Sequence, residues 1–217
     1  MIEHNLEIQT QDGLMNTFVT HPEENDPFPV VFFYMDAPGK REELHDMARR
    51  IATTGYVVVL PNLYYRKTKE FVWDRSDAAT KAMFEMTKHL SLELIMQDTA
   101  ALLDFVDGFD AANSDRVGAV GYCMSGPFAV YLLGQMPASI AAAASFHGVR
   151  LVTDSPDSPH LQLANASGEV YVGAAETDTV FLNRHGPGPA LRALRTEKTT
   201  ALDLNPQGDV RPEFANT

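Results

Sequence analysis

The stretch "VGAVGYCMSGP", Val117 to Pro127, decides the fold. It opens as a short apolar run, passes through Gly121, Cys123 and Gly126, and continues into the apolar "FAVYLL". A strand that turns sharply into a helix needs neighbours without bulk, and glycines two places before and shortly after the central residue meet that need. The central side chain then stands at the strand's C-terminal end, beside the N–H groups and positive dipole end of the helix. A thiol in that place has its thiolate stabilised, and an oxyanion forming next to it meets the N–H of Met124. Cys123 is the only cysteine in the chain. A lone buried cysteine is commonly inert filler, but filler requires no glycine on either side. Cys123 is therefore the candidate nucleophile. Ser125 is its rival, yet a turn centred there would call for glycine at 123, where the cysteine stands.

Outward from this motif, apolar strands alternate with helical patterns. "HNLEIQTQ" and "LMNTFVTHP" flank Asp12-Gly13 and predict a β-hairpin over residues 4–22. The unbroken apolar runs "VVFFYM" and "YVVVLP" predict strands buried on both faces. Between them Leu44, Met47, Ala48 and Ile51 fall at helical spacing, and Gly55 ends the pattern. Residues 78–109 read as two helices, the second capped by Ser91 with Glu93 in its first turn. "IAAAASFHG" and "GEVYVGAAETD" are two further strands. The alternation predicts an α/β fold with a mostly parallel sheet and helices on both faces, in a single domain over residues 1–217.

Residues 183–217 break the pattern. They hold one valine, no isoleucine and one phenylalanine, with Gly186, Pro187, Gly188 and Pro189 together. No convincing terminal strand is visible, so the last strand and helix are expected to be missing. A sheet lacking its last strand would expose a long apolar edge and lower the stability of the protein.

Hydrophobic residues make up 45% of the chain and charged residues 21%, an ordinary globular composition. The formal net charge of −12 argues against nucleic acid as a partner. No window approaches the ~18 consecutive apolar residues of a membrane span. The polar, acidic "MIEHNLEIQTQDG" does not read as a signal peptide, and together with the single thiol it makes a cytoplasmic location the expectation. No spacing suggests a metal site, and no organic cofactor is implied. The oligomeric state is not set by the sequence.

Two carboxylates end strands on the edge that carries Cys123. Asp36 and Ala37 follow "VVFFYM", where an N–H commonly completes an oxyanion hole. Asp36 is equally readable as a turn residue before Pro38-Gly39. Asp178 closes "GEVYVGAAETD", and the order nucleophile, acid, histidine is the one used by α/β-hydrolases, although an aspartate ending a strand is often only a turn residue.

The segments "GYCMSG", "GEVYVGAAETD" and "GYVVVLPNLYYR" together resemble the dienelactone hydrolase family, over about residues 1–182. The resemblance implies an α/β-hydrolase fold, hydrolysis of lactones and esters, and a cysteine nucleophile partnered by aspartate and histidine. By position, Cys123 would be the nucleophile, Asp178 the acid, and Met124 and Ala37 the oxyanion-hole N–H groups. Asp36 falls where the family often has a glutamate that contacts the cysteine. It is one methylene shorter, and Ser125 replaces the third glycine of the common "GYCLGG" form. The family histidine stands about thirty residues after the aspartate, in a His-Gly-Phe turn, and nothing here matches it. His185 is the only histidine after Asp178, and His147 ends the neighbouring strand. Residues beyond about 182 are expected to be foreign to the family.

Two functions follow from these readings. The first is a thiol-dependent hydrolase of a small ester or lactone, working through an acyl-thioester. The second is a catalytically impaired, hydrolase-like scaffold that binds a small ligand. Arg75 and Arg150 lie on candidate loops, but neither can be assigned to a substrate carboxylate from sequence.

Overall fold

The structure, a computed structural model, describes residues 1–24, 27–175 and the backbone of Thr199–Asn205. Strands β1 (Ile2–Thr10) and β2 (Gly13–His21) form the expected hairpin, antiparallel and in register from Ile2–His21 to Thr10–Gly13. They are followed by β3 (Phe28–Tyr34), α1 (Glu42–Ala52), β4 (Val57–Pro61), α2 (Asp77–Thr87) and α3 (Leu92–Asp107). Then come β5 (Ala112–Tyr122), α4 (Gly126–Gln135), β6 (Ile140–Phe146), the four-residue α5 (Pro159–Gln162), β7 (Glu169–Ala175) and β8 (Thr199–Asn205). All eight strands join one sheet in the order β1-β2-β4-β3-β5-β6-β7-β8, parallel from β4 onward.

The expected loss of the last strand is corrected here. β8 pairs in parallel with β7, from Val170–Thr199 to Ala175–Asn205. Its sequence, "TTALDLN", has no valine or isoleucine and places an aspartate between two leucines, so its strand propensity is weak. As the outermost strand it is paired on one side only, where polar residues are tolerated. The helix expected to be missing after it lies outside the described residues.

The topology sets where a site can form. From β3 the chain steps to β4 on one side, then returns to place β5 on the other side of β3. Right-handed crossovers in opposite directions put their helices on opposite faces. Accordingly α1 packs on β4 and β2, while α4 packs on β6 and β5. The segments leaving β3 and β5 therefore diverge, and the crevice of a sheet with this strand order lies at their C-terminal ends. The strands beneath it are solid core: every residue of β4 is buried, as are Val30, Phe32, Phe33 and Tyr34 of β3.

One polar cluster is buried beside this core. Asp98 of α3 is fully buried and accepts two 2.8 Å hydrogen bonds from the Arg66 guanidinium and one of 2.8 Å from the Tyr65 hydroxyl. The Tyr65 oxygen lies 2.7 Å from Thr10 Oγ1, and Arg66 Nε donates to Asp12 at 2.7 Å. The cluster thus ties the hairpin turn and the segment after β4 to α3. Burial pushes the Asp98 carboxyl up, against the opposing pull of Arg66. Removing one partner of such a pair strands the other charge. Asp98→Ala is expected to lower unfolding stability by about 3 kcal/mol, read as a lower urea midpoint with an unchanged slope.

Candidate active site

β5 ends at Tyr122, and Cys123 takes φ +52°, a left-handed conformation that non-glycine residues rarely adopt. A single 3₁₀ turn, Cys123–Ser125, leads directly into α4. The flanking glycines are required sterically. A Cβ on Gly121 would stand 2.2 Å from the Ser125 carbonyl oxygen, and one on Gly126 would stand 2.4 Å from Ser145 Oγ and 2.5 Å from Gly148 Cα. The chain folds back so tightly that only hydrogen atoms fit between these segments. The result is a solvent-exposed Cys123 at the crevice, at the N-terminal end of a ten-residue helix.

The loop after β6 closes against the same turn. The Val149 N–H donates to the Cys123 carbonyl at 3.1 Å, and the His147 N–H donates to Gly173 at 2.8 Å. His147 and Arg150 both hold positive φ, +51° and +56°. Ser125 is no rival to Cys123. It is fully buried, and its hydroxyl accepts from the Tyr122 N–H at 2.9 Å and faces the Tyr34 carbonyl at 2.9 Å.

Across the crevice, β3 leads into Asp36 and Ala37. Arg41 grips the Asp36 carboxylate with both terminal nitrogens, at 2.5 and 3.0 Å, and donates to the Gly39 carbonyl at 2.9 Å. The Gly39 N–H closes a turn on the Asp36 carbonyl at 3.1 Å. The carboxylate in turn raises the Arg41 guanidinium. Tyr64, after β4, spans the two sides: its hydroxyl donates to the Ala37 carbonyl at 2.7 Å and lies 3.6 Å from Met124 Sδ. Burial pushes the Tyr64 phenol up, and its proximity to Asp36 and Cys123 adds to it. Tyr64 is thus a neutral donor that touches both Ala37 and Met124.

Cys123, Met124, Asp36 and Ala37 therefore gather at one edge of the sheet. Asp178 and His185 lie outside the described residues. Arg41 and Tyr64 are the partners that sequence reasoning missed. The available signal was position alone: both follow strands on the edge that carries Cys123. Among the described residues, no group of three or more His, Cys, Asp or Glu side chains could hold a metal ion, and no helix is long and apolar enough to cross a membrane.

Gly121→Ala is expected to fold with a stability lower by about 2 kcal/mol, because backbone must move to admit the methyl group. Urea denaturation measures the loss, and thiol titration of the folded variant should show slower reaction of Cys123.

Comparison with known proteins places the chain. The family model described as "Dienelactone hydrolase family" matches residues 15–201, past the expected limit near 182 and into β8. A Methylorubrum extorquens protein named "Putative carboxymethylenebutenolidase" is 28% identical over 71% of this chain and 52% of its own length. The carboxymethylenebutenolidase of Pseudomonas putida is 21% identical over 88% of this chain and 82% of its own. The chain spans about half the length of the first two such relatives. A crystal structure from Klebsiella pneumoniae, described as a "Putative Dienelactone Hydrolase", superposes with a TM-score of 0.75 at 19% identity, covering 94% of this chain and 84% of that one. The strand order, the glycine-boxed Cys123 turn and this match agree: the chain belongs to the dienelactone hydrolase family and has its α/β-hydrolase fold.

Proposed function

We propose that the protein hydrolyses a small ester or lactone with Cys123 as nucleophile. The observation that carries this reading is the left-handed backbone at an exposed Cys123, held between two glycines that cannot bear a Cβ. Backbone strain at a strand-to-helix turn persists only where surrounding contacts enforce it, and it collects at reacting groups. The names of the relatives, carboxymethylenebutenolidase and dienelactone hydrolase, support a lactone bearing a carboxylate as the substrate class.

In this mechanism the Cys123 thiolate attacks the carbonyl carbon, and the carbonyl electron pair moves onto oxygen. The N–H groups of Met124 and Ala37 receive that oxyanion. Its collapse breaks the ester C–O bond, expels the alcohol oxygen with the proton that a histidine had taken from the Cys123 thiol, and leaves an acyl-thioester on Cys123. Water then attacks the thioester, gives up a proton to a histidine aligned by Asp178, and releases the acid and the thiol. Asp36, gripped by Arg41, shapes the Ala37 arm and places a negative charge near the thiol. Tyr64 holds the Ala37 carbonyl so that the arm keeps its distance from Met124.

Rapid mixing with an activated aryl ester tests the reading. The protein should give a burst of product followed by steady turnover, and Cys123→Ala should give neither. A burst that stops at about one equivalent favours the impaired scaffold, a live nucleophile without its base. Equal behaviour of the two proteins contradicts the proposal. Tyr64→Phe is expected to lower kcat about 10-fold with little change in KM, since it loosens a donor used only as the oxyanion forms.

A further inference from the structure

We propose that Ser125 is a positioning residue that sets the width of the oxyanion hole, by tying the end of β3 to the Cys123 turn through its hydroxyl. This rests on the reading of Cys123 given above and adds a residue that does not touch substrate.

The two arms of the hole come from neighbouring parallel strands, and their backbone pairing ends at Tyr34–Gly121. Beyond that pair they separate, β3 toward Ala37 and β5 into the Cys123–Ser125 turn. Backbone ladder bonds no longer fix their spacing there. The Ser125 hydroxyl takes over at this point. It accepts the Tyr122 N–H at 2.9 Å, and its single proton faces the Tyr34 carbonyl at 2.9 Å, with the Tyr122 carbonyl at 3.1 Å. The chain Tyr122 N–H, Ser125 Oγ–H, Tyr34 C=O is a ladder link routed through a side chain. It is placed one residue after Met124 and three before Ala37.

Ser125 and Tyr34 are both fully buried, so water has no ready access to replace the hydroxyl. Glycine or alanine at 125 leaves a buried N–H and a buried carbonyl to seek partners by backbone movement, and that movement changes the spacing of the arms. Oxyanion stabilisation depends steeply on donor placement, whereas a thiolate displacement reaction builds no oxyanion.

The test compares the full chain with Ser125→Ala, Ser125→Gly and Cys123→Ala. Each rate is normalised to folded protein by circular dichroism. Ester acylation and iodoacetamide alkylation are measured side by side. Both Ser125 variants should lose about 10-fold in acylation rate at saturation, with KM and alkylation rate each within about twofold of the parent. Neither variant adds a heavy atom, so neither creates a new contact that could cause misfolding. Parent-like acylation in the serine variants, with Cys123→Ala inactive, overturns this proposal alone. An alkylation rate that falls in step with acylation also overturns it, because Ser125 would then act on the thiol or the fold. Parent-like hydrolysis by Cys123→Ala overturns the nucleophile reading and this proposal together.

Discussion

The site depends on one close approach, that of Gly121 to the Ser125 carbonyl, where a Cβ would stand at 2.2 Å. A turn this tight lets β5 run straight into α4 while Cys123 points outward from a left-handed backbone. The strain at Cys123 is held from three sides: by Gly148 packed on Gly126, by the Val149 N–H on the Cys123 carbonyl, and by the buried Ser125 hydroxyl. Together they make the thiol's position a property of the sheet rather than of a flexible side chain.

The opposite arm is held less directly. Ala37 follows β3 without a helix of its own at that point, and its carbonyl is fixed by Tyr64 from the segment after β4. That segment is anchored in turn by Tyr65 and Arg66 on the buried Asp98. A buried ion pair adds little net stability over apolar packing, but it defines one geometry and penalises others. Here the geometry defined is that of the segment carrying Tyr64. Arg41 plays a matching part at the surface of the crevice, holding Asp36 and Gly39 in one turn.

Much of this was legible in the sequence because it is local. Asp12-Gly13 marked the hairpin turn, and Ser91 caps α3 by accepting the Leu94 N–H at 3.2 Å. The continuous apolar runs of β3 and β4 gave strands buried on both faces. The glycines around Cys123 mark a sharp turn in the sequence itself. What escaped was long-range or weakly patterned. Tyr64 meets Ala37 across 27 residues, and nothing in "NLYYR" says which tyrosine turns toward the crevice and which toward Asp98. Asp36 was readable as an activating carboxylate or a turn residue, and its grip on Arg41 needs the first residues of the α1 segment in place. β8 was missed because an edge strand can form from "TTALDLN" once β7 supplies a template, although the same letters carry little strand propensity alone.

The most direct measurement of acylation at Cys123 is the mass of the protein quenched during turnover of an activated acetyl ester, followed by peptide mapping. With Cys123 as the nucleophile, one acetyl group is expected, on Cys123, and hydroxylamine removes it as it does a thioester. An acetyl group on a serine or lysine, or none while the ester is being consumed, would contradict it.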